Sequence, residues 1–146
     1  MKYNPISRDI IRELINIAGE RNVLLDPAQL EIFSHDETSK EEYGHMPEVV
    51  VTPRSTSAVA EIVKLANRTS VPITPRGAGS GLSGGAIPIF GGIVLSLEKM
   101  NQVREIDYDN LTMTVETGIV TNEINNLVKE KGLFYAGYPM SLETCT

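Results

Sequence analysis

The sequence predicts an α+β fold: a small mixed sheet of parallel and antiparallel strands flanked by helices. Three observations carry this expectation. Two short β-branched runs stand on either side of a segment with helical period, three further strand-like runs follow with no helix between them, and amphipathic helices lie near both ends. At 146 residues and 41% hydrophobic content the chain is the size of one domain with a sizeable core.

Ile10, Ile11, Leu14, Ile15 and Ala18 recur at spacings of three and four, so residues 7–17 read as an amphipathic helix with Ser7 as N-cap and Asp9 in its first turn. A second, short helix begins at Asp26-Pro27 and runs through "AQLEIF". The stretch "SHDETSKEEYGHM" that follows is polar enough to be a surface loop. Val49, Val50 and Val51, bounded by prolines, form a buried strand; residues 55–67 return to helical period through Val59, Ile62, Val63 and Ala66; "VPITP" is the next strand. Strand, helix and strand in so short a span imply a right-handed βαβ crossover. Beyond a glycine-rich loop, "GGIVLSLE", "VREIDYD" and "TMTVETG" read as three consecutive strands, the last alternating Met113, Val115 and Thr117 against Thr112, Thr114 and Glu116, with "YDN" as the turn between the last two. Thr121 is placed to cap a helix through "NEINNLVKEKG", with Ile124, Leu127 and Val128 inward and Gly132 as its stop; "LFYAGYP" then continues extended.

Thirteen Lys and Arg against nineteen Asp and Glu give a net charge of -6, which argues against a nucleic-acid partner, since phosphate contacts need a concentrated basic face. The start lacks the layout of a signal peptide, and "AIPIFGGIVLSL" is too short and too broken for a bilayer span, so a cytoplasmic protein is expected. The single Cys145 has no partner for an internal disulfide and reads as a small packing residue. His35 and His45 sit among Asp36, Glu37, Glu41 and Glu42, but their spacing matches no compact metal motif, and a solvated acidic loop is the better reading. Tyr108, Tyr135 and Tyr138 read as strand packing or pocket lining, and Lys129, Glu130 and Lys131 as an ordinary helix face.

The stretch that asks for a function is "PRGAGSGLSGGA", Pro75 to Ala86, with five glycines directly after a predicted strand. "GSGLSG" fits the spacing of a dinucleotide fingerprint, yet "GGAIPIFGGIVLSL" stands where that fingerprint must open a helix. A nucleotide-binding P-loop would close on Gly-Lys-Ser/Thr, and this loop holds no lysine. Two readings survive. In one, successive N–H groups turned inward by glycine-permitted dihedrals form a cradle for a pyrophosphate, Ser80 and Ser83 add hydroxyls, and Arg76 either offers its guanidinium or anchors the loop to a nearby carboxylate or carbonyl. In the other the loop turns tightly and binds nothing.

The succession "PEVVVTPRSTSAVAEIVKLANRTSVPITPRGAGSGLSGGAIP", "GGIVLSLEKMNQVREIDYDNLTMTVETGIV" and "GYPMSLETCT" resembles the vanillyl-alcohol oxidase and p-cresol methylhydroxylase type of FAD-binding domain, on its glycolate oxidase large-subunit and D-lactate dehydrogenase branch. The resemblance implies the first subdomain of such a domain over residues 46–146, preceded by an N-terminal helical segment and connecting loop at 1–45. It implies FAD as cofactor, with Pro75, Arg76, Gly77, Ala78, Gly79, Ser80, Gly81, Leu82 and Ser83 around its pyrophosphate. Gly118 is implied as a glycine turn near the cofactor, and Pro139, Met140, Ser141, Thr144, Cys145 and Thr146 as its lining, with Met140 where the family's stretch carries an acidic residue. Asp36 and Thr38 would help fix the loop. In the family, this point is followed by the rest of the FAD domain and by a cap that carries catalytic histidines and any metal ligands, so the sequence is expected to be cut at its C-terminus. The parent would then be a flavin-dependent 2-hydroxy-acid oxidoreductase, with no catalytic or metal-binding residue in these 146 positions, no turnover by them alone, and a surface open to self-association. The competing expectation is a stand-alone nucleotide-binding or interaction module that has lost the oxidoreductase role.

Overall fold

The computed structural model describes residues 3–137, 141 and 143–146. Helix α1 (Arg8–Ala18) starts as expected, with the Ser7 hydroxyl accepting the Ile10 N–H at 3.3 Å and Asp9 in the first turn. It turns Leu14 wholly inward. The chain then forms a strand with no sequence signal, β1 (Val23–Leu24), whose two residues are too few to display alternation. Helix α2 (Pro27–Leu30) is capped by the Asp26 carboxylate, which accepts the Ala28 N–H at 3.1 Å, and passes into a 3-10 turn at Glu31–Phe33. The polar stretch after it is loop except for one helical turn, α3 (Lys40–Tyr43).

Strand β2 (Val49–Val51), helix α4 (Thr56–Thr69) and strand β3 (Ile73–Arg76) form a strand–helix–strand unit, the helix capped by Ser55. Between β2 and β3, however, lies β4 (Ile93–Ser96), parallel to both, so the sheet order is β1-β2-β4-β3 with only β1 antiparallel. The other two strand-like runs leave this sheet and form a separate antiparallel hairpin, β5 (Val103–Asp107) and β6 (Thr112–Val115), with a bulge between Val103 and Glu105. Its turn is built as "YDN" suggested: the Asp107 carboxylate accepts the N–H groups of Asp109 and Asn110 at 3.0 and 2.9 Å.

Burial explains the division. All four residues of β4 are buried, as the centre of a covered parallel sheet requires, whereas β5 and β6 are only half covered. One face of the sheet packs Val49, Val51, Ile93 and Leu95 on Leu14 of α1 and Ile62 and Leu65 of α4; the other packs Val50 and Val94 on Leu30 and Phe33. Each such fully buried side chain contributes about 1.5–3 kcal/mol.

Three expectations at the C-terminal side need correction. The alternation of β6 stops at Val115: Glu116 turns inward and Thr117 outward, because the Glu116 carboxylate accepts the Gln102 N–H at 2.9 Å and pairs with the Arg104 guanidinium. Helix α5 (Thr121–Lys129) has Val120 at its N-cap, without a side-chain cap; Thr121 is its first residue, and its hydroxyl donates instead to the Cys145 carbonyl at 3.1 Å. Leu127 is 47% exposed, leaving Val128 buried and Ile124 partly so. Gly132 does end the helix, its N–H reaching the Lys129 carbonyl at 3.0 Å.

Candidate functional site

The glycine loop leaves the carboxyl end of β3, at the edge of the sheet, the end at which ligands gather in open parallel sheets. Within it, Gly79 has φ +77° and Gly84 φ +73°. Five consecutive N–H groups, from Gly79 to Ser83, have no protein acceptor among the described residues. Such a run of donors fits the oxygens of a phosphate or pyrophosphate, since each would otherwise meet only solvent.

The loop is held from one side by residues 32–38. The Asp36 carboxylate, 5% exposed, accepts the Thr38 N–H and hydroxyl at 2.9 and 2.7 Å on one oxygen and the Gly84 N–H at 2.9 Å on the other. Burial alone would push the Asp36 carboxyl up; these hydrogen bonds, with its own backbone N–H, hold it below the ordinary carboxylate range. The Glu37 N–H donates to the Gly81 carbonyl at 3.1 Å. Arg76 resolves its two sequence readings in favour of the anchor. Its guanidinium is buried, donates to the His35 and Ile32 carbonyls at 2.6 and 3.4 Å, and lies 5.6 Å from the centre of the Phe33 ring. Burial presses its charged form down while the Asp36 and Glu98 carboxylates favour it.

The C-terminal stretch meets the loop from another side. The Thr146 hydroxyl accepts the Ala78 N–H at 3.2 Å and lies where a side chain on Gly77 would have to go. Ser141, whose carbonyl accepts the Thr144 and Cys145 N–H groups at 3.0 and 2.7 Å, turns this stretch back, and Thr121 fixes the Cys145 carbonyl. A cavity of about 490 Å³ opens here, lined among others by Thr117, Ile119, Thr121, Tyr135, Cys145 and Thr146. The structure thus brings Gly77 and Ala78 together with Cys145 and Thr146. It leaves Gly118 in a packing role: its N–H donates to the Met100 carbonyl at 2.8 Å, and a side chain there would strike the Leu97 carbonyl. Leu82 is 69% exposed, and Ser80 and Ser83 have no side-chain hydrogen bond among the described residues. Pro139 and Met140 lie outside the described residues. Thr121 and Glu116 were not foreseen as neighbours of this cavity, and single polar residues inside amphipathic patterns carry no signal that would find them.

The rings of His35 and His45 make local contacts. The Nδ1 of His35 is 3.1 Å from the Ser34 hydroxyl, and that of His45 is 2.8 Å from the Tyr43 carbonyl. Cys145 is partly buried beside the cavity. Among the described residues no helix is long and apolar enough to cross a membrane.

A mixed sheet whose parallel edge strand runs into a glycine-rich loop with N–H donors unpartnered among the described residues is an arrangement suited to a nucleotide cofactor. Residues 47–146 match the family described as FAD binding domain, and the chain belongs to that family. It is 39% identical over 141 residues to the glycolate oxidase subunit GlcD of Bacillus subtilis, covering 97% of this chain and 30% of that protein. It is 38% identical over 139 residues to a D-lactate dehydrogenase of Anaerostipes hadrus, covering 94% and 29%. The chain therefore spans about 30% of the length of these relatives. Among solved structures, p-cresol methylhydroxylase with substrate bound superposes with a TM-score of 0.77 at 25% identity, over 90% of this chain and 27% of that one. An alkyldihydroxyacetonephosphate synthase shares the fold at a TM-score of 0.86 and 22% identity, over 99% and 31%.

Proposed function

We propose that these residues hold the pyrophosphate of FAD in a flavin-dependent oxidoreductase of small 2-hydroxy acids, of the glycolate or D-lactate kind, placed in the cytoplasm. The observation that carries the cofactor reading is the run of five N–H donors from Gly79 to Ser83 without protein acceptors. FAD, when bound, supplies the acceptor for the electrons of the substrate; the chain's own residues bind and orient it. Backbone amides neutralise the pyrophosphate charge, Thr146 closes the cradle beside Ala78, and Thr121 and Cys145 shape the adjoining cavity. Ser80 and Ser83 add hydroxyl donors.

Residues 1–45 serve as a helical segment and connecting loop, and 46–146 as the first part of the FAD domain. The remaining walls of the pocket, and the groups that receive the substrate's proton, belong to the portion of the relatives' length that this chain does not span. Each hydrogen bond to a charged group contributes about 1.5–3 kcal/mol net against an association cost of about 4–15 kcal/mol, so binding by these residues alone is expected to be micromolar at best.

Calorimetric titration of the purified chain with FAD, beside a variant carrying Gly79→Ala and Gly81→Ala and checked for folding by circular dichroism, tests the reading. Saturable binding lost in the folded variant supports it. Equal binding by both would sink the loop's role, and oxidation of D-lactate or glycolate by the 146 residues with FAD would overturn the expectation that they turn nothing over. Exposed Leu111 and Phe134 favour self-association of the isolated chain, which sedimentation at two concentrations checks.

A further inference from the structure

We infer that Thr121 is a positioning residue for the cofactor cradle: by holding the Cys145 carbonyl it sets the Thr146 hydroxyl against the glycine-rich loop, and so couples the start of α5 to FAD binding. This rests on the reading of the loop as a pyrophosphate cradle.

By residue type Thr121 reads as a helix cap, but its hydroxyl has another partner. Helix α5 begins at Val120 without a side-chain cap, so the first N–H of the helix needs an acceptor from elsewhere in the fold. The Cys145 carbonyl supplies it, accepting the Thr121 N–H at 2.9 Å and the Thr121 hydroxyl at 3.1 Å. A carbonyl oxygen has two lone pairs, and two donors from one residue fix its direction more firmly than either alone. Thr121 is buried, which shields both bonds from water.

Peptide planarity carries that constraint one residue further. The Cys145 carbonyl shares its plane with the Thr146 N–H and Cα, so a carbonyl that cannot turn gives the Thr146 Cα a fixed place. From there the Thr146 hydroxyl accepts the Ala78 N–H at 3.2 Å, in space left open because residue 77 is glycine. The stretch is also held upstream, where the Ser141 carbonyl accepts the Cys145 N–H at 2.7 Å and the Asn122 amide donates to the Glu143 carboxylate at 2.9 Å. That last bond is exposed, which leaves Thr121, among the described residues, as the buried link between α5 and this stretch. Ala78 stands directly before the donors from Gly79 to Ser83. Fixing its N–H fixes where that run begins, and a loop already held loses less conformational entropy when its ligand arrives.

The experiment measures FAD affinity and amide hydrogen exchange in the full-length protein for wild type, Thr121→Val, Thr121→Ser, Thr146→Val, the two valine changes combined, and the control Ser55→Ala. Valine keeps the shape and N–H of Thr121 and removes only the hydroxyl, whereas serine keeps the hydroxyl; Ser55 caps α4 through the Ala58 N–H. Thr121→Val is expected to weaken FAD binding about fivefold, within the range of one neutral hydrogen bond, and to speed exchange of the amides at positions 78 and 121. Thr121→Ser should restore both. Thr146→Val should weaken binding at least as much, and the combined variant no more than Thr146→Val alone, because Thr121 acts through Thr146. Ser55→Ala should leave affinity unchanged.

Wild-type affinity and Ala78 exchange in Thr121→Val overturn the inference while the cofactor reading stands. Fully additive losses in the combined variant also overturn it, since Thr121 would then reach the cofactor by a route that bypasses Thr146. So does a loss in Ser55→Ala equal to that in Thr121→Val, because affinity would then follow global stability. Failure of the wild-type protein to bind FAD defeats the cofactor reading first and the inference with it.

Discussion

Gly79 and Gly85 belong to one loop, yet a methyl group added to each meets a different fate. At Gly79 it would enter a backbone of φ +77° and collide with the Arg76 guanidinium; at Gly85 nothing lies within 4 Å. Gly79→Ala should thus lower stability by about 1–3 kcal/mol and weaken FAD binding, while Gly85→Ala should be neutral or raise stability by a few tenths of a kcal/mol. Thermal melting of both variants, with FAD titration, checks the contrast; equal effects would mean that the loop does not keep this shape. Gly118 tests close approach without unusual dihedrals. Its added carbon would lie on the Leu97 carbonyl and 2.9 Å from the Glu98 Cα, backbone that cannot swing aside, so Gly118→Ala should destabilise by about 2–3 kcal/mol. Asp36 supplies the pH dependence. Because its carboxyl is held below the ordinary range in the folded state, the stability it contributes is complete above the unfolded value near about 4 and is lost as pH falls through the folded value. Loop exchange corrected for intrinsic rate should therefore be flat from about pH 5 to 8 and rise only in acid; a transition near neutrality would point to another group.

The elements were legible wherever local chemistry and burial agreed. Ser7, Asp26 and Ser55 cap helices whose apolar stripes are plain in the sequence, and Val49–Val51 reads as a covered strand because prolines bound it. What periodicity cannot show is partnership. Nothing in "GGIVLSLE" says that β4 inserts between β2 and β3, since sheet order depends on the crossover helix leaving room for one strand. Thr121 deceived for a related reason: capping residues are recognised by type, but the Cys145 carbonyl, far along the chain, claimed its hydroxyl. For the site, glycine spacing marked the loop at the end of β3, whereas the direction of Arg76 required knowing that Phe33 and the His35 carbonyl lie across the sheet end. The sheet also holds a test of its own. Thr52 and Ser96 follow the paired residues Val51 and Leu95, and their buried hydroxyls have no hydrogen-bond partner among the described residues. A buried hydroxyl without a partner costs about 1–3 kcal/mol, so Thr52→Val, which keeps the shape, should raise stability by about 1 kcal/mol. A lower melting temperature would reveal a partner for that hydroxyl.

Across the whole molecule, apolar packing is unevenly shared. Both apolar clusters draw on residues up to Leu97, and the sheet they enclose is covered on both faces. The N-terminal segment is tied into this unit where the Glu48 carboxylate accepts the Ile6 and Gly92 N–H groups at 2.8 and 3.1 Å. The β5–β6 hairpin and α5, in contrast, border an open apolar groove lined by Ile106, Met113, Val128 and Leu133 among others, and leave Leu111 69% and Phe134 76% exposed. Well-packed interiors leave few voids, so this half gains less from burial per ordered residue and should open first. Native-state hydrogen exchange is expected to give β2 and β4 amides the free energy of global unfolding, and β5 and β6 amides a lower one reached without opening the sheet. The Ala78–Thr146 contact joins the two halves across the cradle, so FAD seated there should raise protection in the loop and the C-terminal stretch together. If hairpin and sheet instead exchange with one common free energy, the molecule unfolds as a single unit and the cofactor cradle is no seam between two stabilities.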